Sequence, residues 1–179
     1  VKINQENAGR TWFISDPHFG HKSIIGHARP RFIDLDSMHL EMIQKWNSRV
    51  SVNDTVFVLG DFAWTPQAAL EIRPRLHGHI RLVLGNHDSI GSFHELGIFQ
   101  RLHYWYEFPW CGLTAHHIPL HPKMMRCGKA QIHGHIHNTD YKLGPRYMNV
   151  SAEVLNYYPV NAVKVYEWAS SVNKGMAGV

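Results

Sequence analysis

At 179 residues the chain is the length of one domain, with enough apolar sequence to bury a core, and its 44% hydrophobic and 18% charged residues exclude a disordered chain. Lys and Arg exceed Asp and Glu by 18 to 14; the net +4 suits an anionic substrate, but the basic residues are scattered, so a nucleic-acid groove is permitted and not indicated. The longest uncharged run, Phe108 to Pro122, is 15 residues with three Pro and three His, short of the ~18 apolar residues that cross a bilayer.

The amino terminus lacks the basic-then-apolar pattern of a signal peptide. The chain starts at Val1 rather than Met, which leaves room for a removed residue or segment. A cytoplasmic protein is the expectation. Cys111 and Cys127 form no CxxC pair and are too few for a disulfide framework; both read as reduced and buried.

In chain order, Thr11–Ser15 reads as a strand that runs into Asp16-Pro17-His18. From Leu35, Met38, Met42, Trp46 and Val50 recur at helical spacing, with Asp36 or Ser37 as the cap. Thr55–Leu59 is a second strand, ending in Gly60-Asp61. A helix capped by Thr65 opens with Pro66 and stops before Pro74. Ile80–Leu84 runs into Gly85-Asn86-His87-Asp88, Leu113–Ala115 into His116-His117, and Ala130–Ile132 into His133-Gly134-His135-Ile136-His137. Beyond His137, Arg146–Ser151 and Pro159–Trp168 read as strands without helices between them, which predicts a second, mostly antiparallel sheet. Residues 1–168 are expected to form the domain, and 169–179 a flexible tail.

Polar residues of metal-binding type follow all five earlier strands. Turn formers account for one or two such ends, not for five with His at four of them. Sites in α/β sheets form at the carboxyl ends of strands. Fifteen histidines add weight, because imidazole is the commonest metal ligand and clusters here at 116–121 and 133–137.

Taken together these ends spell D-x-H, GD, GNHD, a His pair and GHxH, in order from Asp16 to His137. The pattern resembles the calcineurin-like metallophosphoesterase superfamily, and SDPHFGH and HIPLHP resemble its small bacterial and phage members. A GNHD string alone arises by chance on the order of once in 10^5 positions. The resemblance implies an α/β fold, a four-layer αββα sandwich of two facing mixed sheets flanked by helices. It also implies two divalent transition-metal ions, Mn first, with Fe, Ni, Co or Zn as alternatives. Asp16, His18 and His137 would hold one ion, Asn86, His135 and one of His116/His117 the other, and Asp61 would bridge. The His-x-Pro form selects His117. His135 and His137 sit two apart, which in an extended segment aims both at one side.

The resemblance further implies hydrolysis of a phosphate ester by metal-activated hydroxide. His87 would be the general acid, and Asp88 would orient its ring. Phosphodiesters and small phosphorylated or nucleotide-like substrates are favoured. The alternatives are a nuclease acting on DNA or RNA and a catalytically silent metal-binding interaction module. The GD here continues into Phe62-Ala63-Trp64-Thr65 rather than VDRG, against the phosphoprotein phosphatases. His87 is retained, against the lipid-pathway pyrophosphohydrolases, and no residues remain for the nuclease branch's capping domain. His77 and His79 in LHGHI mimic the GHxH motif but precede a strand, and read as surface or turn residues. His21 is either a substrate contact or structural. Arg29, Arg31 and Arg126 are candidate phosphate clamps, and Met124 and Met125 read as packing.

Overall fold

Three short strands, β1 (Thr11–Ile14), β2 (Thr55–Leu59) and β3 (His79–Val83), pair in parallel, Thr11 opposite Thr55 and Thr55 opposite His79. Each is followed by helix, as a parallel crossover requires: α1 (Ile24–His27) and α2 (Leu35–Asn47), then α3 (Pro66–Ile72), then α4 (Ile90–Leu96). The computed structural model describes residues 4–124 and 130–176. β4 (Arg101–His103) extends this sheet at one edge and β9 (Val160–Asn161) at the other, giving the order β4-β3-β2-β1-β9. A second sheet holds β5 (Tyr106–Phe108), β6 (Leu113–Ala115), β7 (Ala130–His133) and β8 (Tyr147–Asn149) in that order. The fold is α/β, two facing mixed sheets flanked by helices.

Strand alternation divides the apolar residues between two cores. Val56, Val58, Ile80 and Leu82 turn outward onto Met38, Met42 and Trp46 of α2 and Ala69 and Ile72 of α3. Phe13, Phe57, Leu59 and Val83 turn inward onto Phe108, Leu113, Ala115, Ala130 and Ile132 of the second sheet. Phe13, Phe57 and Phe108 form a triangle of rings with centroids 5.4–5.7 Å apart. Burying each such ring stabilises the fold by about 1.5–3 kcal/mol.

Several expectations need correction. The cap of α2 is Asp34, not Asp36 or Ser37. Asp34 has the extended backbone a cap needs, and its carboxylate accepts the Ser37 N–H at 2.8 Å. The second sheet is not mostly antiparallel: only β5–β6 runs that way, while β6–β7 and β7–β8 are parallel. β6 and β7 are separated by 14 residues of sequence and β7 and β8 by 13, far more than a hairpin turn needs.

Pro159–Trp168 is not a strand either. Only Val160–Asn161 pairs, antiparallel to β1, and α5 (Ala162–Met176) follows. The alternating Val163, Val165 and the aromatic Tyr166 and Trp168 imitate a strand. Ala162, Val165, Tyr166 and Ala169, however, lie at helical spacing and are the buried face. Asn161 starts the helix by accepting the Val163 N–H at 3.0 Å. The expected tail is therefore helical to Met176, where Asn173 donates to the Cys111 carbonyl at 2.8 Å; residues 177–179 lie outside the described residues. Among the described residues, no helix is long and apolar enough to cross a membrane.

Cys111 is buried, and its thiol donates to the Phe108 carbonyl. Met124 is exposed rather than packed. Met125, Arg126 and Cys127 lie outside the described residues.

Candidate metal centre

The loops that leave β1, β2, β3, β6 and β7 meet on one edge because those strands run the same way. Hydrogen bonds lace the loops together. Asp16 N–H donates to the Gly60 carbonyl (3.1 Å), His18 N–H to that of Asp61 (2.9 Å), and Gly134 N–H to that of His117 (2.9 Å). Two glycines permit the approach. A Cβ on Gly134 would land on Ser15 and the Asp16 carboxylate, and one on Gly85 would land on Asp61.

Among the described residues, eight non-glycine positions have positive φ, and five of them are Asp16 (56°), His18 (51°), Asp61 (54°), His135 (70°) and His137 (48°). Each such backbone costs on the order of 1–3 kcal/mol, and residues held this way cluster where function needs them. The GHxH segment is thus a turn. It is not the extended run that the two-apart spacing suggested, and both histidines are aimed by left-handed backbone.

The side chains converge in two groups. Ligand-type atoms of Asp16, His18 and His137 lie within 4.8 Å of one another, as do those of Asp16, Asp61 and His117. Asp61 sits between the groups: its Oδ2 is 3.5 Å from His18 Nε2 and 3.4 Å from His117 Nε2. Asn86 Oδ1 lies 2.9 Å from both His117 Nε2 and His135 Nδ1, completing the second group. All seven sequence-predicted ligands are therefore brought together.

Backbone and carboxylate acceptors fix the histidine tautomers. His117 Nδ1 donates to the Leu59 carbonyl (2.7 Å), which leaves Nε2 with a lone pair facing Asp61 and Asn86. His137 Nδ1 faces Glu153 Oε1 at 3.1 Å, leaving its Nε2 likewise. His116, by contrast, turns its Nδ1 to Ile118, outside the cluster.

His18 decides whether these residues fit a metal. It is 2% exposed, and neither ring nitrogen has a hydrogen-bond partner among the described residues. A buried imidazole without partners is costly, and burial lowers its pKa to about 3, keeping it in the neutral, ligating form. The Asp61 and Asp16 oxygens at 3.5 and 3.9 Å are too far to bond it and close enough to share an ion with it. The electrostatics agree. Burial raises the Asp16 carboxyl. His117 is driven up to about 9: burial opposes its proton, but the bond to Asp61 and the charges of Asp16 and Asp61 outweigh burial. Two buried carboxylates thus draw positive charge to this point, the demand a bound cation meets.

Three residues, Glu153, Ser151 and Asn149, escaped sequence reasoning, and a fourth, Arg29, takes a role other than the expected one. Glu153 joins His137 to the fully buried Arg29, whose Nε bonds Glu153 at 2.7 Å and whose Nη1 donates to the Pro17 carbonyl at 2.7 Å. Burial alone would raise Glu153, but His137 and Arg29 hold it down at about 2. Arg29 is therefore a brace beneath the D-x-H loop and not a phosphate clamp. Arg31 pairs with Glu41 on the surface. Ser151 Oγ donates to Asp16 Oδ2 (3.0 Å), and Asn149 Nδ2 bonds the His137 carbonyl (2.6 Å). Ser151 and Glu153 follow the carboxyl end of β8, the same signal that marked the candidate ligands, without a histidine to draw notice.

Asp88 does something other than expected. Its carboxylate accepts the N–H groups of Asp61 (2.8 Å), Phe62 (3.0 Å) and Gly85 (2.8 Å), latching the GD loop to the GNHD loop. It is committed to the backbone and does not orient His87. Burial raises it to about 6 against those three donors. His87 itself is exposed at the rim, its N–H held by Asp61 Oδ1 at 2.9 Å. His77 bonds the Val50 carbonyl and His79 is exposed at the start of β3, at the opposite end of that strand from GNHD.

No protein-family model matches the chain. The uncharacterized protein MJ1445 of Methanocaldococcus jannaschii is 31% identical over 162 residues, which cover 85% of this chain and 86% of that protein. The chain belongs to the family of that protein. The Gene 66 protein of Mycobacterium phage L5 is 35% identical over 86 residues, 44% of this chain and 40% of the phage protein, so the match spans under half of that relative. The crystal structure of the protein of unknown function AQ665 from Aquifex aeolicus superposes with a TM-score of 0.69 over 88% of this chain and 97% of that one, at 23% identity, a likeness of fold alone. None of the three is named for an activity, so the chemistry rests on the residues.

Proposed function

We propose that the chain is a two-metal phosphoesterase that hydrolyses small phosphate esters, diesters and nucleotide-like substrates first. The observation that carries the reading is the buried His18 ring, without a hydrogen-bond partner among the described residues and flanked by Asp16, Asp61 and His137. Asp16, His18 and His137 would hold one ion, His117, Asn86 and His135 the other, with Asp61 shared; the mixed carboxylate, imidazole and amide set suits Mn, Fe, Co, Ni or Zn better than Ca. Two such ions, when bound, would supply Lewis acidity toward phosphoryl oxygens and a water of lowered pKa.

The remaining work belongs to the chain. The loop hydrogen bonds and left-handed backbones fix the ligand side chains before substrate arrives. His87, exposed at the rim and tethered to Asp61 through its N–H, would give a proton to the leaving oxygen.

Leaving-group dependence tests this. An alkoxide leaves poorly and needs the proton; a nitrophenolate does not. With Mn loaded, His87→Asn should lose about 10²–10⁴-fold on methyl or ribosyl esters and distinctly less on nitrophenyl esters. Metal content should stay as in the wild type. Equal losses on both substrates would remove the acid role. A wild-type protein that binds metal yet cleaves no monoester, diester, cyclic nucleotide or oligonucleotide would remove the phosphoesterase reading itself.

A further inference from the structure

Trp64 follows the GD loop and is 44% exposed, although Trp is among the most costly side chains to leave in water. It is not loose. Its backbone N–H donates to the Phe19 carbonyl at 2.8 Å, and its ring lies flat on His21, centroids 3.8 Å apart and planes 2° from parallel. His21 is fixed in turn by Ser23, whose Oγ lies 2.9 Å from Nε2. The His87 ring is 4.9 Å from Trp64 and 6.4 Å from His21. With the 3.8 Å stack these distances make a near-right angle at Trp64, so His87 lies beyond the edge of the indole and not over its face. The face turned away from His21 carries no ring contact among the described residues. A rigid, backed, open aromatic face thus stands beside the rim histidine.

We infer that the open face of Trp64 is a stacking platform for a planar heteroaromatic base on the substrate. Such a face recognises any base through its π-surface and needs no hydrogen-bond readout. Because His87 adjoins its edge, the stacked base belongs to the group attached to the leaving oxygen; this assignment of side rests on the phosphoesterase reading. The substrate class is then a nucleoside phosphate ester whose nucleoside departs.

The test compares adenosine 5′-monophosphate with ribose 5-phosphate, which differ only by the base. Binding to the Mn-loaded protein is measured by calorimetry, and hydrolysis is followed separately. The wild type should bind the adenosine compound about tenfold more tightly, the worth of one base–aromatic stack. Trp64→Leu should erase that preference while leaving ribose 5-phosphate affinity and metal content unchanged, and Trp64→Phe should restore most of it. Equal binding of the two compounds by the wild type, or a preference that survives Trp64→Leu, would overturn the platform. A base preference that depends on Trp64 in a protein that cleaves no monoester, diester, cyclic nucleotide or oligonucleotide would uphold the platform and tell against the phosphoesterase reading alone.

Discussion

The two halves of the candidate metal centre differ in enclosure. Around His18, Asp16 is fully buried, His137 is half-buried, and Arg29 and Glu153 close the floor beneath them. Around His117, which is itself buried, the other ligand-type residues, Asn86 and His135, are exposed. The enclosed half is supported by a carboxylate and a guanidinium that no ligand motif contains, while the open half rests mainly on its own loops. A site built this way should hold one ion firmly and exchange the other with solvent, because the Glu153 carboxylate raises the basicity of His137 more than the neutral Leu59 carbonyl does that of His117, and burial keeps water from the enclosed half.

Removing the shared residue should have the largest effect. Asp61 Oδ2 faces both His18 and His117, and its Oδ1 holds the His87 N–H. Asp61→Ala should therefore lose both ions, where His18→Ala should lose mainly the enclosed one. Elemental analysis of dialysed protein reads this. An Asp61→Ala protein that keeps two tightly held ions would dissolve the division into halves joined at Asp61.

Glu153 sharpens the comparison, because it touches one half only. Glu153→Gln should cost about 10–100-fold in affinity for a single ion, the scale of a lost partner to a ligating histidine. That ion should be the one a chelator removes more slowly from the wild type. Weakening of the rapidly removed ion instead would mean that the enclosed and open halves are assigned the wrong way round.

How much of this was legible follows the same division. The D-x-H, GD, GNHD and GHxH strings were readable because ligand chemistry demands particular side chains at strand ends, and β1, β2, β3, β6 and β7 all appeared close to their observed bounds. The support under them was not. Glu153 is an ordinary acid in an ordinary segment until the chain brings β8 beside β7 and delivers it to His137. Arg29 looked like a phosphate binder because sequence shows charge and not burial. α5 was lost to a competing period: Val163 and Val165 alternate as a strand would, while the helical spacing of Ala162, Val165, Tyr166 and Ala169 only gains meaning with a sheet to cover. Asp88 was misread for a related reason, since the neighbour of His87 in sequence reaches backbone donors 26 and 27 residues away.

That latch predicts a stability effect separable from metal. In chelator-treated protein, Asp88→Ala leaves the N–H groups of Asp61, Phe62 and Gly85 without their acceptor. Leaving buried donors unsatisfied costs about 1–3 kcal/mol, so the urea midpoint should fall accordingly. His87→Asn should leave it unchanged. Matching midpoints for Asp88→Ala and wild type would show that the two loops hold each other without the carboxylate.

The smallest effect is expected at His116, and it tests the finest detail of the open half. His116 and His117 are adjacent, both follow β6, and by composition they are interchangeable. The chain separates them by direction: His117 turns inward to the Leu59 carbonyl and Asp61, while His116 turns its Nδ1 back to Ile118. Burial lowers the pKa of His116 from its ordinary value, which disfavours a charge there. His116→Ala should therefore leave metal content and turnover near wild type, with only the local turn at Ile118 loosened. His117→Ala should empty the open half. The comparison is read from metal stoichiometry of the two variants side by side. Loss of an ion from His116→Ala with retention in His117→Ala would place the ligand one residue earlier and move the open half of the centre outward.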